Sequence, residues 1–288
     1  MEWIITEQMF DGFRDYLEME EKSSATIKKY LCDIRKLADY AKGSAINKEL
    51  MLSYKEKLLY KDNYKPRSIN SFLIAANRFF SYMGWYGINV KAYKVQEETF
   101  RPEDRCLSRE EYFRLVKGAR KKGRKRLVMV LQAICATGIR VSELQFFTVS
   151  AVKKGVVEIN CKGKIRTVLL SDSLRKELLY YIVKEGIKQG KVFCTSSRKA
   201  VNRSNIWKEM KAVCDVAGVK QEKVFPHNLR HLFAVSFYKI KKDIAKLADI
   251  LGHSNIETTR IYIRTTGKEY KKQLDQMGLV YKTTGITT

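Results

Sequence analysis

Over the first ninety residues the apolar positions recur at helical spacing. Met9, Phe10, Phe13, Tyr16 and Leu17 share one face, with Thr6 placed to cap the segment. Ile27, Tyr30, Leu31, Ile34, Leu37 and Ala38 form a second stripe at i, i+3, i+4 and i+7, with Ser24 as its expected cap. A third segment runs from about Asn47 to Tyr60. A fourth starts at Pro66, whose missing N–H suits a first helical position. It carries Ile69, Phe72, Leu73, Ala76, Phe79, Phe80 and Met83 and stops at Gly84. Four such helices with short connections predict a small all-α bundle.

The helical period is lost over residues 88–106, where Pro102 also falls. This predicts a helical domain over 1–90, a linker over 91–106 and a second domain over 107–288. Ser108, three residues before Glu111, is a capping box that opens the second domain. The basic run "ARKKGRKR" reads equally as a solvated loop and as a phosphate contact. An apolar helix follows from about Leu127 to Thr137. Two β-rich runs then flank Lys162-Gly163-Lys164 as a hairpin, and "KVFCT" offers a third short strand. Further helices are expected near 172–186, 203–217, 227–240, 243–251, 256–264 and 267–277. The fold class is therefore mainly α with a small antiparallel β-sheet.

Charge changes the picture most. The chain carries 56 Lys and Arg against 31 Asp and Glu, a net charge of +25. A surplus of this size points to a polyanion, with nucleic acid ahead of a membrane surface. No run of eighteen apolar residues occurs, and "MEWIITEQMF" does not read as a signal peptide, so no membrane partner is expected. The six cysteines form no C-x-x-C pair. They read as reduced thiols in a cytosolic protein rather than as a disulfide framework or zinc knuckle.

Three segments carry candidate chemistry. In "ATGIRVSEL", Gly138 reads as a helix C-cap and Arg140 follows it in a turn. Arg140 is either half of a structural ion pair, for instance with Glu143, or a fixed anion-binding fork. In "FPHNLRHLFAV", Pro226 marks a helix start, where His227 and Arg230 share a face suited to a phosphate. His227, His231 and His253 also allow a metal site, which Arg230 opposes by repelling a cation. In "LGHSNIETTRIYIR", Ser254 and Glu257 read as a capping box for a helix carrying Tyr262. Taken alone, Tyr262 reads as a core residue of an amphipathic helix or as a nucleophile.

Together these boxes resemble the tyrosine site-specific recombinases, also called phage integrases. The family order is Arg, a hairpin Lys, His-x-x-Arg, His in a Leu-Gly-His box, and Tyr nine residues later. Here that corresponds to Arg140, Lys162, His227 with Arg230, His253 and Tyr262. The family usually has Gly-Lys-Gly in the hairpin. This chain has Cys161-Lys162-Gly163 followed by Lys164, so Lys164 is a rival to Lys162.

The resemblance covers the whole chain. It implies a SAM-like core-binding bundle that clamps DNA, followed by the recombinase catalytic domain. It also implies cleavage and rejoining of double-stranded DNA through a covalent 3′-phosphotyrosyl intermediate, with no cofactor, metal or ATP. In that scheme Tyr262 is the nucleophile, Arg140 and Arg230 hold the phosphate, and Lys162 is the general acid. His227 is the general base and His253 a phosphate hydrogen-bond donor. A homodimer on each site and a homotetramer in the synaptic complex are implied, with the C-terminal helix docking on its own domain or on a neighbour. The short N-terminal side favours a simple two-domain, Xer-like type over one with an arm-site domain. A type IB topoisomerase-like nicking-closing enzyme and a catalytically idle DNA-binding relative are the alternatives. The DNA target and the biological role, such as integration on a mobile element or dimer resolution, are not legible in the sequence.

Overall fold

A computed structural model describes residues 3–95, 106–161, 164–195, 201–263 and 267–279. The chain divides into two compact units, Met1–Glu97 and Glu98–Thr288. The first is a bundle of α1 (Gln8–Met19), α2 (Ser24–Ala41), α3 (Lys48–Glu56) and α4 (Pro66–Met83), with a single π turn over Lys57–Lys61 after α3. The apolar stripes meet inside it: Phe13, Leu17, Ile34, Leu37, Phe79 and Phe80 are removed from solvent.

Pro66 opens α4 and Gly84 closes it in the left-handed region, both as the sequence predicts. The first two caps differ from expectation. Glu7 occupies the N-cap of α1 without a side-chain bond, and Thr6 contributes only its carbonyl, to Met9 N. Ser23, not Ser24, caps α2, because Ser23 has extended backbone (φ −62°, ψ 147°) and its hydroxyl accepts from Thr26 N. Beyond Gly84, Ile88 and Val90 still bury themselves in the first unit, and Asn70 hydrogen-bonds both backbone groups of Tyr93.

The second unit begins with α5 (Arg109–Lys121), opened by the Ser108–Glu111 capping box with both reciprocal bonds formed. Next comes α6 (Lys125–Thr137), whose residues Leu127 to Leu131 are all buried. A helix apolar on every side belongs at the centre of a unit. The basic run forms the α5–α6 corner and is tied to the protein. Lys122 bonds the Ala212 carbonyl, Lys125 pairs with Glu185, and Arg126 pairs with Glu209 and donates to the Cys194 carbonyl.

A 3₁₀ turn (Val141–Phe146) and α7 (Val149–Lys154) lead to an antiparallel hairpin of β1 (Val156–Cys161) and β2 (Lys164–Leu169). The expected third strand does not form: Lys191 makes one isolated bridge to Thr148. Val192 and Phe193 enter the core instead, which explains the apolar run. After α8 (Asp172–Lys184), the helix expected over 203–217 is two, α9 (Arg203–Lys211) and α10 (Cys214–Ala217). Val213, fully buried, leaves the helical ladder between them at φ −105°, ψ −5°.

The helices α11 (Pro226–Lys241), α12 (Ile244–Leu251) and α13 (Ile256–Ile263) bring most of the site residues, and α14 (Gly267–Met277) comes after them. The central helix α6 packs against α5, α8 and α11. Leu274, Met277 and Leu279 near the C-terminal end are exposed, and Val280 lies outside the described residues. Among the described residues no helix is long and apolar enough to cross a membrane.

Candidate active site

The end of α6 sets the first position. Gly138 has φ +68°, and a Cβ there would meet Phe233 Cδ1 at 2.4 Å and Leu251 Cδ2 at 3.0 Å. Only glycine satisfies both the backbone and the close approach of α11 and α12. Two residues later Arg140 N-caps the 3₁₀ turn, and Glu143 reaches back to it in capping-box fashion. Glu143 Oε2 accepts from the Arg140 backbone N–H at 2.7 Å, and its Oε1 from Nη1 at 3.0 Å. The ion pair weighed from the sequence is therefore present. It does not consume the arginine, whose side chain remains 44% exposed. Arg140 lines a cleft of about 630 Å³ together with Ser142, Gln145, Pro226, His227 and Arg230.

The start of α11 sets the next two. Pro226 is at the first helical position and His227 follows it on the cleft wall. Arg230, one turn on, is 2% exposed. Its Nη1 donates to the Gly138 carbonyl and its Nη2 to the Leu251 carbonyl, each at 2.7 Å. Nη2 also lies 2.8 Å from His253 Nε2. Burial lowers the Arg230 pKa, and the Arg140 charge lowers it further. The Tyr262 hydroxyl and Glu143 oppose that shift. The partners that hydrogen-bond this buried cation are neutral carbonyls and an imidazole, an arrangement that leaves its charge for an incoming anion.

His253 follows Gly252, which closes α12 in the left-handed region at φ +65°. A guanidinium can only donate, so His253 Nε2 accepts from Arg230 and the ring proton sits on Nδ1. Nδ1 lies 2.8 Å from Thr259 Oγ1, a buried hydroxyl of α13. Burial, and then the charges of Arg230, Arg140 and Arg166, hold the imidazole pKa down to about 4. A hydroxyl both donates and accepts, so Thr259 fits either neutral tautomer of His253.

Asn255, not Ser254, caps α13, its side chain accepting from Glu257 N at 2.8 Å. Glu257 turns outward to pair with Arg260. The expected Ser254–Glu257 box therefore does not form, and the cap moves on by one residue, because the chain is still turning out of the His253 loop at Ser254. The helix brings Tyr262 inward to 4% exposure. Its hydroxyl lies 3.3 Å from His227 Nε2. All three histidines of the chain pack around its ring, with centroids at 5.4 Å (His227), 5.6 Å (His231) and 5.7 Å (His253, stacked). Among the described residues, no three or more His, Cys, Asp or Glu side chains are placed to hold a metal ion.

The structure therefore brings Arg140, His227, Arg230, His253 and Tyr262 to one place from three separate stretches of chain. Lys162 lies outside the described residues. Lys164 opens β2, pairing with Cys161 in the hairpin register.

Comparison with known proteins decides the family. The phage integrase family model matches residues 105–269, and the phage integrase N-terminal SAM-like domain matches residues 10–87. The chain belongs to the phage integrase family. Tyrosine recombinase XerA of Pyrococcus furiosus is 29% identical over 282 residues, covering 95% of this chain and 95% of its own. XerH site-specific recombinase, bound to palindromic difH substrate in a post-cleavage complex, superposes with a TM-score of 0.71 at 22% identity, covering 86% of this chain and 79% of its own. A lambda integrase tetramer bound to a Holliday junction also gives a TM-score of 0.71, at 16% identity over 88% of this chain and 76% of its own. Among phage integrases this chain is a tyrosine recombinase, an enzyme of DNA strand cleavage and rejoining.

Three residues of this candidate site were not singled out from sequence as part of it: Glu143 in this role, Arg166 and Thr259. Glu143 had a signal, since an acid three residues after a turn start is a capping-box position. Thr259 is one turn before Tyr262 and so shares its face. Arg166 had none, being a charge inside a β-rich run.

The state of His253 yields a prediction. Its folded pKa of about 4 lies below the ordinary 6.5, so the unfolded chain takes up the proton first as pH falls. The stability contributed by neutral His253 is complete above pH 6.5, and is lost progressively as pH falls toward about 4. NMR titration of the free protein should place the His253 midpoint near 4. A midpoint at the ordinary histidine value would contradict the buried, arginine-flanked imidazole.

Proposed function

We propose that this chain performs site-specific recombination of double-stranded DNA through a covalent 3′-phosphotyrosyl intermediate, without metal or ATP. Tyr262 Oη attacks the scissile phosphorus, the Tyr262 O–P bond forms and the P–O5′ bond breaks. His227 accepts the tyrosine proton, and Lys162 donates a proton to the leaving 5′-oxygen. The phosphodiester bond energy is kept in the tyrosyl phosphate, so religation to a 5′-hydroxyl of a partner duplex needs no external energy.

The observation that carries the reading is the buried Arg230. Its hydrogen-bonding partners are neutral and it lies beside Tyr262, His253 and Arg140. Two fixed guanidinium groups suit the charge that phosphoryl transfer spreads over the non-bridging oxygens. Phosphate arriving at Arg230 competes with His253 for Nη2. The imidazole then presents Nε2–H to the phosphate while Thr259 donates to Nδ1, a change of tautomer that the hydroxyl permits. The His227–Tyr262 distance of 3.3 Å is within the range from which a base acts once substrate tightens the site.

The first unit is the core-binding domain and, with the catalytic unit, clamps the duplex. Residues 1–97 hold 16 Lys and Arg against 13 Asp and Glu, so the surplus of +25 lies almost wholly in the second unit, whose phosphate contact it supports. The assembly is a homodimer on each site and a homotetramer at synapsis, a reading supported by a lambda integrase dimer bound to a core site and a lambda integrase tetramer bound to a Holliday junction, which share the fold.

The test uses a site selected from a randomised duplex pool by binding. Two such duplexes with the chain and EDTA should yield four-way junctions and exchanged products. Relaxation of supercoiled plasmid without junctions would favour the topoisomerase-like alternative. Binding with neither outcome would leave the idle relative.

A further inference from the structure

Arg166 lies on β2 opposite Ile159, with its side chain 15% exposed. Its Nη1 donates to the Ile250 carbonyl in the last turn of α12, and its Nη2 to Glu143 Oε2. That same carboxylate holds Arg140 through its side chain and its backbone N–H. The Arg166 side chain also lies against Gly252, where a Cβ would meet its Cδ at 2.5 Å and its Nε at 2.8 Å. One guanidinium thus touches both the segment that presents Arg140 and the turn that presents His253. Its fork bonds both at once, which a lysine's single ammonium, with its compact charge, does not reproduce.

We infer that Arg166 is a positioning residue for strand cleavage, a strut that fixes Arg140 relative to the His253 turn. The inference rests on the recombinase reading above. Arg140 and His253 must meet one phosphate from separate segments, and a misplacement of about 1 Å at a reacting centre costs on the order of a hundredfold in rate. Nothing else among the described hydrogen bonds ties Glu143 to α12. The strut also gives Gly252 a second reason to be glycine. Beyond its φ of +65°, any side chain would displace Arg166.

The experiment compares Arg166→Met and Arg166→Lys with the parent chain. Single-turnover cleavage of a selected, nicked duplex at saturating protein should fall roughly a hundredfold for Met and about tenfold for Lys. DNA affinity should stay within about threefold of the parent, since Arg166 spends both ends on protein acceptors. A rate unchanged in both variants overturns the assignment. So does a loss matched in both by equal loss of DNA binding or by collapse of the unfolding transition.

A second measurement needs no DNA. Gly252→Ala should lower the unfolding temperature more in the parent chain than in Arg166→Met, because the left-handed backbone strain is common to both and the clash is not. Equal shifts would overturn the strut itself. A parent chain that forms no adduct would instead overturn the recombinase reading, and the role in cleavage with it, while the unfolding comparison still reports on the strut.

Discussion

Arg230→Ala should slow strand cleavage by about a thousandfold or more and destabilise the second unit. The two effects have separate causes. Arg230 is fully enclosed and donates to the carbonyls of Gly138 and Leu251 at 2.7 Å. Truncation leaves two buried acceptors without donors, each worth about 1–3 kcal/mol, and opens a cavity under the His253 turn. Thermal unfolding should therefore drop by several degrees or more. The catalytic loss is larger. Removing one preorganised donor from a charge-stabilising site costs on the order of 10²–10³ in rate, and Arg230 also fixes His253. Arg230→Lys separates the two. It keeps the charge and much of the volume but lacks the fork that spans two carbonyls and a phosphate, so cleavage should still fall by about a hundredfold or more. Single-turnover rates and unfolding curves for both variants check this, and a lysine variant cleaving at the parent rate would contradict it.

Tyr262→Phe is expected to have the opposite profile: no covalent chemistry, little change in stability. The ring packs among three histidines and the α11–α13 apolar cluster, and phenylalanine keeps that packing. The hydroxyl contributes a 3.3 Å contact to His227, worth at most about 1 kcal/mol. Removing a nucleophile lowers turnover on the order of 10⁴-fold or more. DNA binding should persist, because Arg140 and Arg230, proposed to hold the phosphate, are untouched. If the phenylalanine variant cleaves, the nucleophile is another residue.

The bundle and the central helix were legible because their signals are local. The α4 stripe, Pro66 and Gly84 lie within one stretch, and so do Ser108 and Glu111 with both of their bonds. Where two neighbours are both able to cap, sequence does not choose between them. Ser254 and Asn255 differ only in which one first leaves the helical backbone, and the preceding His253 turn decides that. "KVFCT" has strand composition, yet a run of this length is also what a core-lining connection looks like, and burial of Phe193 against Phe147 won.

The boxes carrying Arg140, His227, Arg230, His253 and Tyr262 were legible as residue types at fixed local spacings. Their convergence was not, since Arg230 reaches partners 92 and 21 residues away. Arg166 is the extreme case. Its partners lie 23 and 84 residues off, so its role exists only in the folded chain.

Central to the proposed mechanism is a covalent bond between Tyr262 and DNA, formed in a site built from arginines and histidines. The most direct measurement incubates the chain with a nicked suicide duplex of its selected site, in EDTA, and identifies the DNA-linked peptide by mass spectrometry. The expected result is a 3′-phosphotyrosyl adduct on the peptide carrying Tyr262, absent from Tyr262→Phe. An adduct on another residue, or none on a duplex the protein binds, would contradict it.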